Sequence, residues 1–160
     1  MKKIGSAGAV TLEALLKEVA AAKTAGKKIV FTNGCFDIIH RGHVSYMNRA
    51  RALGDMLIVG INSDTSVRTL KGPTRPVNAE ADRAYVLANL KAVDAVVIFG
   101  DETPIKLIEA ITPHVLVKGG DWPVEKIVGA DHVRANGGEV LSLALEDGYS
   151  TTGIIARAVS

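Results

Sequence analysis

Apolar positions along the chain gather into five short runs, at 27–34, 56–61, 95–99, 115–118 and 140–145. The runs are continuous rather than alternating, which predicts strands covered on both faces. Between them the spacing turns helical. Thr11 caps a helix whose Leu12, Leu15, Leu16, Val19 and Ala20 share one side, and Gly26 ends it. A second helix is predicted over 44–53 with Gly54 as its stop, and a third from Ala79 to about residue 91 with Asn78 as its cap. Thr103 caps a fourth helix over 104–111, with Pro104 in its first turn. A fifth is predicted over 124–135, ending before Gly137 and Gly138. Ser150 caps a last helix carrying Ile154, Ile155 and Val159. Residues 63–76 contain Gly72-Pro73 and Arg75-Pro76 and read as a loop, or a short helix plus a turn. Residues 1–10 are small and polar and are expected to be loose.

Strands alternating with helices predict an α/β fold: a single Rossmann-like, doubly wound parallel sheet with helices on both faces. The expected division is an N-terminal tail and helix over 1–26, then one domain over 27–160. Ligands of such sheets sit beyond the carboxyl ends of the strands. Segments 33–43, 62–64, 118–122 and 146–152 all follow strands and therefore converge on one edge. With 160 residues, 48% of them apolar, one sizeable core can be built. The net charge of +2 is interspersed, which argues against a nucleic-acid footprint. No apolar run approaches the ~20 residues of a membrane span, and residues 1–10 lack the apolar core of a secretory signal. A single cysteine excludes an internal disulfide framework and points to a reducing cytoplasm. The absence of G-x-G-x-x-G after a strand and of a P-loop argues against a dehydrogenase or P-loop kinase.

The stretch from Thr32 to His43 carries the densest chemistry. His40 and His43, separated by Arg41 and Gly42, fall at or near a helix N-terminus, where N–H groups and the dipole favour an anion. Two imidazoles aimed at one phosphate neutralise charge that grows on it. The competing readings are two polar loop residues, or a metal pair with Asp37. A metal needs a third or fourth ligand, and His114, His132 and Cys35 lie in separate segments. Gly42 lets a backbone or ligand approach closely. Asp37 either fixes a histidine tautomer or caps the turn, and Cys35 reads as a small apolar filler rather than a nucleophile. Lys71 and Arg75, on a loop stiffened by Gly72 and two prolines, suit a second phosphate-bearing substrate. Lys118-Gly119-Gly120-Asp121-Trp122 is either a plain turn or a nucleotide contact, the glycines allowing approach and the acid meeting ribose hydroxyls. Ser150, Thr151 and Thr152 open the last helix, where one hydroxyl would suffice as a cap and three can also hold phosphate. Arg83 reads as a solvated or structural charge.

The segment from Gly34 to His43 resembles the G-x-F-D-x-x-H-x-G-H signature of the nucleotidyltransferase superfamily typified by cytidylyltransferases. Ser150-Thr151-Thr152 resembles that superfamily's second, S-[ST]-T motif, and the similarity spans roughly 28–158. TNGCFDIIHRGHVSYMNRARALGD, LIVGINSD, LKGPTRPVN, LVKGGDW and ANGGEV together resemble the branch that adenylates D-glycero-β-D-manno-heptose 1-phosphate, giving ADP-heptose for the lipopolysaccharide inner core. The resemblance implies that His40, His43 and Lys71 serve catalysis. It places Thr32, Asn33, Gly34, Cys35, Phe36, Gly42, Asp121, Trp122, Ser150, Thr151 and Thr152 around the nucleotide, and Asp37, Arg75 and Lys118 around the sugar phosphate. It further implies ATP and heptose 1-phosphate as ligands, Mg²⁺ carried by ATP without dedicated metal ligands, a homo-oligomer, a separate heptose kinase, and neither nucleic-acid nor membrane partners. Glycerol-phosphate cytidylyltransferases usually carry an arginine before the second motif and a basic residue after it. Here those places hold Leu145, Glu146 and Asp147, then Gly153, which weakens a CTP enzyme. The alternatives are a cytidylyl- or adenylyltransferase for another small phosphorylated substrate, of the glycerol 3-phosphate type, and a nucleotide-binding module without turnover.

Overall fold

A computed structural model describes residues 4, 5 and 7–160. Five strands, β1 (Ile29–Gly34), β2 (Met56–Asn62), β3 (Ala95–Phe99), β4 (Val115–Gly119) and β5 (Glu139–Leu143), form one parallel sheet in the order β3-β2-β1-β4-β5. The helices are α1 (Leu12–Thr24), α2 (Arg41–Arg51), α3 (Asp64–Lys71), α4 (Glu80–Ala88), α5 (Ile105–Ile111), α6 (Ala130–Ala135) and α7 (Thr151–Ala158). This is the doubly wound α/β arrangement that the strand pattern predicts. Successive strand residues point to opposite faces, and both faces are covered. Ile29, Phe31, Met56, Ile58 and Leu116 pack with Leu15 of α1, Ile108 of α5 and Val133 of α6. Val30, Leu57, Val59, Ile61 and Val117 pack with Met47 of α2 and Leu87 of α4. Continuous apolar runs are the sequence trace of that double burial. Strand order reverses between β1 and β4, and at such a switch point the chain leaves the sheet in opposite directions and opens a crevice.

Several local expectations are corrected. The described part of 1–10 is not loose: the Ile4 and Val10 N–H groups donate to the Asp94 and Val96 carbonyls, both at 2.9 Å, and both side chains pack on the core. Residues 1–3 and 6 lie outside the described residues. The short helix within 63–76 is α3, capped by Ser63, whose Oγ accepts from the Ser66 N–H at 3.2 Å. Asn78 does not cap α4; Ala79 stands at that position, because the Asn78 side chain is drawn away to the Asp37 carbonyl. Thr103 does not cap α5 either, as Pro104 itself is the N-cap and the helix begins one residue later. The single helix expected over 124–135 is broken into a 3₁₀ turn (Val124–Lys126) and α6, because Gly129 turns the chain at φ +87°. Val159 ends α7 as its C-cap and is 81% exposed, so it is no core position. Among the described residues no helix is long and apolar enough to cross a membrane.

Candidate active site

The carboxyl ends of β1 and β4 open into a cleft. Its floor is Asn33, Gly34, Cys35 and Phe36 after β1, with Lys118 and Gly119 at the end of β4. Lys71 and Arg75 enter from the α3 side, and His43, Tyr46, Leu145 and Thr151 close the other wall. A second cavity shares His43, Lys71, Arg75 and Thr151 and extends past His40 and Gly42 to Glu146, Tyr149, Ser150 and Thr152. The two histidines, the paired cations of the 71–75 loop and the Ser-Thr-Thr start of α7 thus face one continuous space. Most residues predicted for the site from sequence meet there.

His40 is the N-cap of α2, so the helix begins at Arg41 rather than near 44 and its first turn carries Gly42 and His43. The His40 N–H donates to Nδ1 of His43 at 3.3 Å. In the neutral ring that leaves the proton on Nε2. Burial, then the neighbouring His40 and Lys71, lower the His43 pKa to about 4, and burial lowers that of His40. The His43 ring is therefore an uncharged donor at neutral pH in the free protein. A Cβ on Gly42 would lie 3.0 Å from the His40 ring and 3.2 Å from Cβ of Tyr149, so a side chain there would push both aside by a few tenths of an ångström. Phe36, held at φ +48°, presents its ring edge to His43 with centroids 5.5 Å apart.

Cations dominate the cleft. Burial raises the Cys35 thiol, while Lys71, Arg83, Arg75 and Lys118 all pull against it. Burial also lowers the Lys118 ammonium, the expected response of a cation taken from water with no carboxylate partner close by. Cys35 is half-buried, its Sγ 3.7 Å from Oδ1 of Asn62 and no base beside it, as fits a filler.

Of the predicted site residues, Asp37 lines the cleft but is occupied by protein donors, and Thr32, Asp121 and Trp122 do not line it. The Asp37 carboxylate is consumed by protein: it accepts from Nε of Arg75 at 2.7 Å and from the N–H groups of Val77 and Asn78 at 2.8 Å each. Burial pushes its pKa up, but those donors outweigh burial and hold the group below the ordinary carboxylate range. It neither fixes a histidine tautomer nor offers itself to substrate; it anchors the 75–78 loop. Thr32 is fully buried, and its Oγ1 meets the Tyr46 hydroxyl at 2.6 Å beneath the floor. Asp121 is exposed, while Trp122 borders an adjoining hollow with Pro104 and Val128 that shares Asn33 and Lys118 with the cleft. Arg83, read from sequence only as a generic charge, is fully buried. Its Nε, Nη1 and Nη2 donate to Asn78 O at 3.0 Å, Cys35 O at 2.7 Å and Oδ1 of Asp64 at 2.9 Å. Among the described residues no group of three or more His, Cys, Asp or Glu is placed to hold a metal.

The depressed His43 pKa has a consequence for stability. An unfolded histidine takes a proton near pH 6.5, while the folded ring resists until about 4. Protons therefore favour the unfolded chain in that window, and stability falls as pH drops from 6.5 to 4. Thermal melts at pH 7 and 4.5 are expected to separate further for the wild type than for His43→Gln.

A model of the cytidylyltransferase-like family matches residues 31–157. The bifunctional protein HldE of Marinomonas sp. is 54% identical over 151 residues, covering 94% of this chain and 32% of that protein. HldE of Pectobacterium carotovorum is 57% identical over 148 residues, covering 92% and 31%. The chain thus spans about a third of the length of the curated relatives it matches. Among solved structures, a lipopolysaccharide core biosynthesis protein from Thermoplasma volcanium superposes with a TM-score of 0.63 at 26% identity, covering 78% of this chain and all of that one. A pantoate–β-alanine ligase from Francisella tularensis shares the fold alone, with a TM-score of 0.55 at 16% identity over 86% of this chain and 67% of that one.

Proposed function

The chain belongs to the cytidylyltransferase-like family, and from that premise we propose that it transfers AMP from ATP to D-glycero-β-D-manno-heptose 1-phosphate, releasing pyrophosphate and forming ADP-heptose. The observation that carries this reading is the union of the two histidines, Lys71 and Ser150–Thr152 around one cation-rich cleft. High identity to the HldE proteins and likeness to a lipopolysaccharide core biosynthesis protein direct the choice of acceptor. The relatives are named bifunctional, and this reading includes a separate heptose kinase that supplies the sugar phosphate.

Both reactants are polyanions, so positioning and charge neutralisation supply most of the rate. A phosphate oxygen of the sugar attacks the α-phosphorus of ATP in line; the bond to the β-phosphate oxygen breaks, and pyrophosphate leaves with that electron pair. Nε2–H of His43 donates to the α-phosphate, where the anion raises the ring's pKa and strengthens the bond as charge grows. His40 stacks on His43 and backs it. Lys71 and Arg75, at the entrance on the α3 side, draw in the sugar phosphate, and the hydroxyls and N–H groups at the start of α7 hold the nucleotide phosphates. Mg²⁺ enters on the oxygens of ATP and shields their charge.

The test crosses ATP and CTP with heptose 1-phosphate and glycerol 3-phosphate in a pyrophosphate-release assay. Turnover is expected only with ATP and the heptose phosphate. Turnover confined to CTP with glycerol phosphate rejects this reading, and ATP binding without product from either acceptor reduces the protein to a binding module.

A further inference from the structure

We propose that Tyr149 is a positioning residue that fixes the ring of His40, and so couples the two phosphate-binding motifs; the role rests on the nucleotidyltransferase reading above. A catalytic imidazole is usually oriented by a hydrogen bond to the ring nitrogen it does not use. His43 has such a bond, from the His40 N–H. His40 has no bond of that quality: its Nδ1 is buried and meets no partner at full hydrogen-bond geometry among the described residues, only the looser capping-box approach of the His43 N–H. Packing must hold this ring instead. It lies between two others, stacked on His43 with centroids 3.9 Å apart and planes 25° apart, and facing Tyr149 at 6.4 Å and 23°.

The column continues outward. The Arg41 guanidinium sits 5.7 Å from the centre of the Tyr149 ring, and its Nε pairs with Oε2 of Glu146 at 3.3 Å. About two turns further along α2, in its last turn, Arg49 donates to the Ala144 carbonyl. The two ends of α2 thereby fasten the 144–149 loop, which leads directly into Ser150–Thr152. Gly42 completes the fit, since a side chain there would strike both the His40 ring and Tyr149. Tyr149 is itself 42% exposed, so its ring contributes little to the core. A side chain so placed is worth more to the orientation of its neighbour than to folding. No step requires its hydroxyl.

Tyr149→Ala, Tyr149→Phe and the His40→Ala/Tyr149→Ala pair separate this role from a structural one. A misplaced catalytic group costs up to about 10²-fold; Tyr149→Ala is therefore expected to lower kcat about tenfold while KM for ATP moves less than about twofold. Tyr149→Phe keeps the ring and restores kcat to within about twofold, and on a His40→Ala background loss of the ring changes kcat less than about twofold, as expected of residues acting as a unit. A loss carried by KM, a failure of phenylalanine to rescue, or full additivity with His40→Ala overturns the proposal. Imidazole ¹H–¹³C spectra of the free protein supply an arm independent of turnover. The His40 Hε1 signal is expected to shift and broaden in Tyr149→Ala and to stay in place in Tyr149→Phe; an unmoved signal in Tyr149→Ala overturns the proposal. A wild type without turnover rejects the assigned reaction, and the spectra then still decide the stack.

Discussion

His43→Ala is expected to lower kcat by about 10²–10³, equivalent to about 3–4 kcal/mol of transition-state stabilisation, while the melting temperature at pH 7 changes by no more than about 2 °C. The two effects separate for a physical reason. The ring is half-buried and uncharged at neutral pH, its pKa lowered to about 4 by burial, His40 and Lys71. Its Nδ1 accepts one long hydrogen bond from the His40 N–H, at 3.3 Å, and its faces meet His40 and the edge of Phe36. Removing it therefore costs modest packing in the ground state. On the proposed mechanism the same deletion removes a donor to the α-phosphate in the transition state, from a site where water is partly excluded. KM for ATP is expected to change far less than kcat, because the hydroxyls and N–H groups at Ser150–Thr152 still hold the nucleotide phosphates. Steady-state kinetics beside a thermal melt decides the matter. If activity and melting temperature fall together, His43 is a structural residue and the mechanism above is wrong.

The parts of this molecule that were legible in the sequence share one property: their signal is local. Continuous apolar runs report strands buried on both faces, and the five strands fall where those runs are. The Ser150 cap is read from its own hydroxyl, whose Oγ accepts from the Gly153 N–H at 3.0 Å. The convergence of 33–43, 118–122 and 146–152 follows from topology, since all follow strands of one parallel sheet. The misread residues are those whose partners lie far away in the chain. Asn78 has the chemistry of a helix cap, yet Asp37, 41 residues earlier, takes its side chain. Asp37 sits three residues before His40 and invites a local pairing, but Arg75, 38 residues later, claims its carboxylate. Thr103 lost its capping role to the rigid Pro104 that follows it. Arg83 reads as a solvated or structural charge, and it is structural; the choice was not legible because two of its three acceptors, Asp64 and Cys35, lie 19 and 48 residues away. The ring column from His43 to Tyr149 is hidden for the same reason, since its members lie on segments over 100 residues apart.

Arg83→Met is expected to cost about 2–4 kcal/mol of folding stability, chiefly the ~1–3 kcal/mol for each acceptor left without its donor where water has little access. The guanidinium side chain is 0% exposed and each of its nitrogens serves a different acceptor: Nε the Asn78 carbonyl, Nη1 the Cys35 carbonyl and Nη2 the Asp64 carboxylate, which is itself 27% exposed. Methionine fills the volume but leaves two carbonyls without these donors. Asp64 can recover water; the Cys35 carbonyl, on the cleft floor, has less access to it. Arg83→Lys keeps the charge, yet an ammonium lacks the planar fork that spans three acceptors, so it is expected to recover less than half of the loss. Such a cost is a large share of the ~5–15 kcal/mol that holds a domain of this kind together. Urea melts should show the midpoint falling with an unchanged slope. The chemistry should suffer as well, because Cys35 and Asn78 are the two ends that Arg83 ties together: one begins the loop leading to His40, the other carries the anchor of Asp37 and Arg75. Activity measured well below the melting temperature is therefore expected to drop, and saturating ATP should return part of the lost stability by mass action. A stability change under about 1 kcal/mol would mean that water satisfies these carbonyls as well as the guanidinium does, and that the brace between the two halves of the cleft lies elsewhere.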